Sequence, residues 1–368
     1  MPTPAEDPKR LKYLDGLRGL AALSVFACHA IEMLVPDPQK MNLWHPLQTL
    51  WDGESAVILF FVLSGFVLTL PYVGPAPKKI DTVPFLIRRL TRLYPAYWFA
   101  IALALVLRRY LYIPGGLDGL MPWFSSLWSS PLSPSALLKY FALIAPGFKS
   151  MDLDPSIWSL AVEVKVSLLF PLVLFLVQRT KRAPYALFVL AAILTASLFG
   201  FMGNFLAFLS GSYLAKYRTQ VVAFIGSSRW LRAALLLVAI LTYGAFWSMP
   251  GLPMPRHTAA NVLGASLFLA LFLGSRSLKA MGTWLPVWFL GEVSYSFYLT
   301  HLPILLAVTS WLYPRTGSVL LSAAVSLLLS LALSWLVYRA IEVPCQNWGR
   351  STAKVIGTRR AGRAKVAV

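Results

Sequence analysis

Runs of mostly apolar residues, each about 20 residues long, recur over nearly the whole chain, and a run of that length is enough for a helix to cross a bilayer. Of the 368 residues, 58% are hydrophobic and 13% are charged, whereas a soluble domain has about 25% charged residues. The sequence therefore predicts an all-α, polytopic integral membrane protein with about ten transmembrane helices. The predicted helices cover residues 14–34, 54–73, 93–112, 156–178, 184–200, 203–216, 232–249, 258–274, 286–312 and 317–341.

The distribution of basic residues predicts how these helices are oriented. The chain has 33 Lys and Arg residues against 14 Asp and Glu residues, which gives a net charge of +19. With the N-terminus in the cytoplasm, most of the basic residues fall in segments on the cytoplasmic side, as the positive-inside rule requires. Both termini are therefore predicted to be cytoplasmic. Because orientation accounts for the charge, no nucleic-acid partner is expected, although the same charge would suggest one in a soluble protein.

The two ends of the chain differ in character from the apolar runs between them. The first ten residues are polar and the first apolar run carries Asp15 and Arg18, so no separate signal peptide is expected. Residues 350–368 are basic, and we expect them to form a disordered cytoplasmic tail attracted to the anionic lipid of the inner leaflet. The membrane domain is accordingly predicted at residues 1–349.

Ionisable residues inside the apolar runs are functional candidates, because their insertion costs roughly 2.5–3.5 kcal/mol. In LDGLRGLAALSVFACHA (14–30), Arg18 and His29 lie about 20° apart on one helix face, with His29 about 16 Å deeper. Asp15 can pair with Arg18 across one turn. Two interpretations stay open. Either this face forms a polar path from the charged cytoplasmic end of the helix to a buried His29, or His29 is structural and the Arg18 side chain extends to the lipid headgroups. Cys28 points about 100° away from His29 and is interpreted as a packing residue.

The segment that enters the third predicted helix carries two arginines on one face. Arg89 and Arg92 are three residues apart, a spacing that puts both side chains on the same side of a helix. Guanidinium groups bind phosphate oxygens bidentately, so this pair fits a phosphate-rich ligand that approaches from the cytoplasm. Without other evidence, simple positive-inside anchoring is the favoured interpretation.

Carboxylates in the fourth and ninth predicted helices have roles that the sequence leaves open. Glu163 could orient an imidazole or receive a proton in an acyl-transfer site, or it could pair with a buried arginine and hold helices together. Glu292 and His301 are nine residues apart and so about 180° apart around the helix axis. One narrow site cannot hold both unless the helix bends.

Tryptophans cluster in the two long outer segments, residues 35–53 and 113–155, where Trp123 and Trp128 are examples. Tryptophan is common at membrane interfaces, so an aromatic belt is favoured over a platform for a ligand. The second interpretation stays open for these residues.

Taken together, six segments resemble the acyltransferase type 3 family of membrane O-acyltransferases, which includes O-antigen acetylases and nodulation-factor acetyltransferases. They occur in the family's order and cover nearly the whole chain; each alone is weakly specific, but six in sequence are strongly specific. The segments are LDGLRGLAALSVFACHA (14–30), FFVLSGFVL (60–68), RRLTRLYPAYW (88–98), SIWSLAVEVKVSLLFPL (156–172), LGEVSYSFYLTHLPI (290–304) and IEVP (341–344).

The resemblance implies acyl coenzyme A as a cytoplasmic donor and a carbohydrate acceptor modified at the outer face. The family's Arg-x10-His motif falls on Arg18 and His29, and its Arg-x-x-Arg motif falls on Arg89 and Arg92. Its other two blocks fall on Trp158, Ser159, Leu160 and Glu163, and on Tyr295, Tyr298, Leu299, His301 and Pro303. The chain departs from the family after Glu163, where VKVS replaces the usual Gln and aromatic pair, and we expect no soluble esterase-like domain after residue 349.

The expected function is transfer of an acyl group, acetyl in the leading case, from acetyl-CoA to a hydroxyl of a cell-envelope or exported glycan. The expected catalytic residues are His29 as general base, Glu163 as orienting or relay group and Asp15 as the partner of Arg18. Acyl-CoA binding is expected at Arg18, Arg89 and Arg92, and substrate binding at Trp158, Ser159, Tyr298 and His301. No metal site is expected.

The expected location is the inner membrane of a bacterium, with membrane lipid as a further partner. Two alternatives stay open: a transporter or flippase of an anionic glycolipid without acyl-transfer chemistry, and an inactive sensor or scaffold. Against transport, the sequence shows no inverted repeat and no matched pair of broken helices.

Overall fold

The computed structural model describes residues 11–34, 49–129, 131–145, 148–179, 200–244 and 254–366. Within these ranges the regular structure is helical, and no strand occurs. The α-helices in these ranges are α1 (Lys12–Leu34), α2 (Gly53–Thr69), α3 (Thr82–Tyr110), α4 (Pro122–Ser126), α5 (Pro134–Ala142), α6 (Trp158–Arg179), α7 (Gly200–Lys216), α8 (Arg218–Gly226), α9 (Arg229–Tyr243), α10 (Met254–Gly274), α11 (Arg276–Thr283), α12 (Leu285–Thr316), α13 (Val319–Val337) and α14 (Val343–Val366).

The prediction of an all-helical membrane protein is confirmed. Among the described residues, five helices are long and apolar enough to cross a membrane, or up to seven if each of two bent helix pairs forms one span. The predicted helix at 184–200 lies outside the described residues, apart from its last residue. The third helix begins at Thr82 rather than near residue 93, because its basic first turns are built into the bundle: Phe85 and Arg89 are buried among other helices.

The longest helix, α12, is enclosed by other helices rather than by lipid. Many of its residues are buried, including the polar Ser294, Ser296, Thr300 and His301. It packs most closely against α1, where both helices carry glycines at the contact. A Cβ atom added at Gly19 would lie 2.5 Å from the backbone nitrogen of Gly291. Small residues of this kind let helix backbones approach closely inside a membrane.

The C-terminal segment differs from the predicted disordered tail. After α13 the chain makes a π-helical turn at Tyr338–Glu342 and continues as α14 to Val366. The tail is ordered by packing against α3: Ala353 is 1% exposed, Gly349 lies directly against Thr91, and Arg360 is 3.7 Å from Asp81. Its Ala, Arg and Lys residues are also good helix formers.

The segment between α3 and α6 is tied to the end of α3. Arg108 donates to the backbone carbonyl oxygens of Asp152 at 3.1 Å and Trp128 at 3.2 Å. The Trp128 indole donates to the carbonyl of Leu153 at 2.7 Å, and the Leu153 amide donates to the Tyr140 hydroxyl at 2.9 Å. The described residues of this connection are therefore held against the bundle, and they include a side chain that lies over α1.

Gly19→Ala should destabilise the protein, because the added methyl group would lie only 2.5 Å from the backbone of α12, which is a steric clash. Overpacking at a tight contact costs about 1–3 kcal/mol. The thermal unfolding temperature of detergent-purified protein measures the effect.

Gly226→Ala is the matched control, since no atom lies within 4 Å of a Cβ built at Gly226. Equal unfolding temperatures for the two alanine variants would contradict the tight α1–α12 contact.

Candidate active site

A cavity that is partly open to the outside lies between α1, α2, α3, α6 and α12, with roughly 760 Å³ of empty space when the open mouth is included. Its wall combines charged, hydroxyl-bearing and apolar side chains contributed by all five helices. The polar lining residues are Arg18, Ser64, Arg89, Arg92, Ser159, Glu163, Ser294, Tyr295 and Tyr298. The cavity thus brings together residues that are far apart in the sequence, and all three arginines that the sequence singled out are among them.

Arg18 contributes its charge to the cavity from α1. Its Nη1 atom is 3.0 Å from the Asp15 Oδ1 atom, and the two side chains are only 13% and 15% exposed. The pair forms across one helical turn, as the spacing predicts. Asp15 does not line the cavity itself, so its contact with Arg18 is how it influences the site.

Arg89 and Glu163 form an ion pair that joins α3 to α6. The Arg89 Nη2 atom is 2.6 Å from the Glu163 Oε1 atom, and the Arg89 Nε atom donates to the Ser167 hydroxyl at 3.2 Å. Of the two roles left open for Glu163, the structure shows the pairing with a buried arginine. Both side chains also line the cavity, so the pair contributes to the site as well as to helix packing.

Hydroxyl groups of α6 and α12 meet on the cavity wall. The Ser159 and Tyr298 hydroxyl oxygens are 2.7 Å apart, and the Tyr298 hydroxyl also donates to the carbonyl of Ser156 at 2.9 Å. Trp158, the neighbour of Ser159, does not line the cavity; it is 38% exposed and packs edge-on against Phe61 at 6.2 Å between ring centroids. The structure therefore places Ser159 and Tyr298, but not Trp158, in the cavity.

Two histidines stack on each other beyond Tyr298. The His29 and His301 rings are 5.5 Å apart with an interplanar angle of 16°, and the His301 ring is 5.8 Å from the Tyr298 ring. The His301 Nδ1 atom is 2.7 Å from the carbonyl oxygen of Tyr298, so this nitrogen is the protonated donor. Glu292 lies elsewhere and accepts from the Tyr338 hydroxyl at 3.2 Å, in keeping with its predicted position opposite His301.

Glu32 is a residue that the sequence interpretation missed. Its Oε2 atom is 3.1 Å from the His29 Nδ1 atom, and its Oε1 atom is 3.5 Å from the Cys28 sulfur. The signal was present, because residues three apart on a helix are neighbours. The carboxylate beside the His29 imidazole is thus on the same helix, and Glu163 is paired with Arg89 instead.

Asp154 is a second carboxyl close to His29, and it is buried just ahead of the membrane-spanning α6. It caps the short turn at Pro155–Ile157, where its Oδ1 atom accepts from the Ser156 amide at 2.9 Å and from the Ser156 hydroxyl at 2.7 Å. Burial raises the pKa of Asp154 to about 7, against the opposing effects of the Ser156 hydrogen bonds and the nearby His29. Its Oδ2 atom is buried and has no hydrogen-bond partner among the described residues.

These features define the class of the protein. In a helical membrane protein, three arginines around a cavity can bind a negatively charged ligand, and an imidazole–carboxylate pair can accept a proton. In the described part of the chain, no group of three or more His, Cys, Asp or Glu side chains could hold a metal ion.

Comparison with known proteins then assigns the family. Residues 11–339 match the family model described as an acyltransferase domain, so the chain belongs to the acyltransferase type 3 family and is an O-acyltransferase. Acyltransferase MdmB of Streptomyces mycarofaciens is 29% identical over 378 residues, which cover 92% of each chain. O-acetyltransferase OatA of Staphylococcus aureus is 27% identical over 93% of this chain, which spans only 58% of OatA. No solved structure matches the chain.

Glu163→Gln should lower the stability of the folded protein by about 3 kcal/mol, because it leaves the buried Arg89 without an opposite charge. Thermal unfolding of the purified protein measures the loss. The double variant Glu163→Gln/Arg89→Gln should recover part of it, since no buried charge is then unpaired.

Arg88→Gln is the matched control, because Arg88 is the exposed neighbour of Arg89 and exposed charges contribute about 0–1 kcal/mol. If the loss of stability in the double variant equals the sum of the losses in Glu163→Gln and Arg89→Gln measured separately, the pairing is contradicted.

The raised pKa of Asp154 predicts that stability depends on pH. In the folded protein the Asp154 carboxyl has a pKa of about 7, whereas its ordinary pKa is 3.8. The contribution of the protonated carboxyl to stability is therefore complete below pH 3.8 and is lost as the pH rises through about 7. Asp154→Asn stays neutral and should remove this dependence.

Unfolding temperatures measured from about pH 5 to about pH 8 test this prediction. The wild type should lose more stability than Asp154→Asn toward the alkaline end. Parallel profiles for the two proteins would show that Asp154 does not carry the effect.

Proposed function

We propose that this enzyme transfers an acyl group, acetyl in the leading case, from acyl-CoA to a hydroxyl of a cell-envelope or exported carbohydrate. The observation that carries the proposal is the cavity lined by Arg18, Arg89 and Arg92. Its wall residue Tyr298 contacts His301, which stacks on His29. The similarity to OatA, an O-acetyltransferase, supports acetyl as the transferred group.

The donor would be held by charge. Three guanidinium groups face two carboxylates, Asp15 and Glu163, around the cavity, so the cluster keeps a net positive charge. The phosphate groups of coenzyme A carry the complementary charge, and guanidinium groups bind phosphates in bidentate geometry. Asp15 would orient Arg18, as expected from the sequence.

The acyl-transfer step would use His29 as general base. As the acceptor oxygen forms its bond to the thioester carbonyl carbon, the His29 imidazole takes the hydroxyl proton. The carbon–sulfur bond breaks, and the imidazolium returns the proton to the sulfur, which leaves as the thiol of coenzyme A. Ester and thiol replace hydroxyl and thioester, so atoms and charge balance.

Glu32 would take the orienting role first considered for Glu163. A carboxylate that accepts a hydrogen bond from one imidazole nitrogen fixes the ring's orientation and stabilises the imidazolium. The 3.1 Å contact between Glu32 and the His29 Nδ1 atom has this arrangement, which leaves the Nε2 atom for the substrate. The Ser159 and Tyr298 side chains on the cavity wall would contact the bound substrates, with His301 close behind Tyr298.

The orientation in the membrane completes the proposal. We place both termini and the basic helix α14 in the cytoplasm, with ten spans in the inner membrane of a bacterium, because the positive-inside rule then holds for every cytoplasmic segment. Arg18 and Arg89 then lie toward the cytoplasm, where acyl-CoA is made, and His29 lies toward the opposite face. Exposed Arg350 and Lys354 on α14 would contact anionic headgroups.

His29→Gln should reduce the rate of acyl transfer by about 100-fold or more, since general-base catalysis contributes about 10²–10⁴-fold. Radiolabelled acetyl transfer from acetyl-CoA to isolated envelope glycans, with purified protein in nanodiscs, measures this rate. A rate within a few-fold of the wild type would refute His29 as the base.

The same variant supplies its own controls. Acetyl-CoA binding by isothermal titration should be unchanged, because the arginines around the cavity are intact. The unfolding temperature should stay close to that of the wild type.

Glu32→Gln should reduce the turnover number less than His29→Gln does and leave the KM for acetyl-CoA unaltered.

A further inference from the structure

A tryptophan of the segment between α3 and α6 lies over the proposed catalytic histidine. The Trp123 and His29 rings are 5.8 Å apart and tilted by 56°. Neither residue lines the cavity, and Trp123 is partly exposed. The His29 and Glu32 side chains are 18% and 22% exposed. The imidazole–carboxylate pair is therefore accessible from a side other than the cavity.

Trp123 is held rigidly in this position. It belongs to the short helix α4, which begins with Pro122, and its neighbour Phe124 is completely buried. The Trp123 and Phe124 rings pack edge to face with centroids 5.6 Å apart. Arg108 and Tyr140 hydrogen-bond other described parts of the segment. The Trp123 indole is therefore fixed in position and offers a preformed apolar surface.

Two buried polar atoms near His29 lack a hydrogen-bond partner among the described residues: the Nε2 atom of His301 and the Oδ2 atom of Asp154. Such atoms are rare, because a buried polar group without a partner costs about 1–3 kcal/mol. His301 donates through Nδ1 to the Tyr298 carbonyl, so its Nε2 atom is an acceptor. A ligand with hydroxyl groups, which both donate and accept, would supply the missing partners.

We propose that Trp123, His29, Glu32, His301 and Asp154 form the acceptor subsite, and that this subsite selects a sugar ring. The indole would pack against the apolar C–H face of the ring, because aromatic side chains offer a large, rigid apolar surface. His29 receives the proton of the reacting hydroxyl, and the two unpartnered atoms bind neighbouring hydroxyls. The inference rests on the proposed acyl transfer and adds the residues that bind the acceptor and its place of entry.

The subsite separates the two substrates in space. The anionic donor occupies the arginine-lined cavity, and the neutral acceptor approaches from the Trp123 side. The stacked imidazoles of His29 and His301 lie between the two. A site built to bind several hydroxyls rejects ligands that lack them far more strongly than an apolar pocket does, so the acceptor should be a cyclic polyol rather than a simple alcohol.

The test compares Trp123→Ala with the wild type in nanodiscs, with acetyl-CoA as donor. The probes are a panel of pyranosides (methyl glucoside, methyl galactoside and N-acetylglucosamine) and two acyclic polyols, glycerol and sorbitol. For a pyranoside that the wild type acetylates, Trp123→Ala should raise the KM roughly 10-fold or more, equivalent to about 1.4 kcal/mol. The KM for acetyl-CoA and any slow acetylation of the polyols should not change.

Two variants make the comparison specific. Trp123→Phe keeps an aromatic face and should restore most of the pyranoside affinity. Trp230→Ala removes an indole that is 73% exposed on α9, a helix that contributes no residue to the cavity or to the proposed subsite, and should alter neither KM.

Each other outcome is decisive. An unchanged pyranoside KM in Trp123→Ala, equal use of pyranosides and polyols by the wild type, or no transfer to any pyranoside while acetyl-CoA still binds would overturn the acceptor subsite. Failure of the wild type to bind acetyl-CoA would instead overturn the proposed function itself.

Discussion

Positive charge buried inside a helical membrane bundle must be paired, and this constraint organises the centre of the molecule. Arg89 is 7% exposed, and an isolated ion at such a position would cost several kcal/mol. Its ion pair with Glu163 joins α3 to α6. A second ion pair, between Arg18 and Asp15, compensates the Arg18 charge within α1. The cavity exists where these paired charges meet, so helix packing and ligand binding depend on the same side chains.

After this pairing, the side chains around the cavity keep a net positive charge, which suits a donor with several phosphates. A cavity with fully balanced charge would bind an anion weakly, whereas three unpaired arginines would destabilise the bundle. Two carboxylates against three guanidinium groups lie between these limits. The close contact of α1 with α12 at Gly19 and Gly291 then determines which side chains of the two helices meet further along, and those are His29 and His301.

Much of the fold and part of the site could be predicted from the sequence. Helical spacing placed Asp15 beside Arg18 and put Glu292 away from His301, because both statements concern one helix. Spacing says nothing about which helix lies opposite, so it could not decide between an imidazole and an arginine as the partner of Glu163. The order in the C-terminal tail was missed for the same reason: α14 is held by α3, a contact between segments far apart in the chain.

Glu32, by contrast, could have been found from spacing alone, since it follows His29 by three residues. Its environment explains why it differs from Asp154, the other carboxyl near the histidines. The Glu32 side chain is 22% exposed and lies 3.1 Å from the His29 imidazole, where a carboxylate would stabilise an imidazolium. Asp154 is 1% exposed, and burial favours its neutral form, which can donate as well as accept. In the proposed transfer, a carboxylate beside the base would stabilise the imidazolium, and neutral groups would hydrogen-bond the uncharged acceptor.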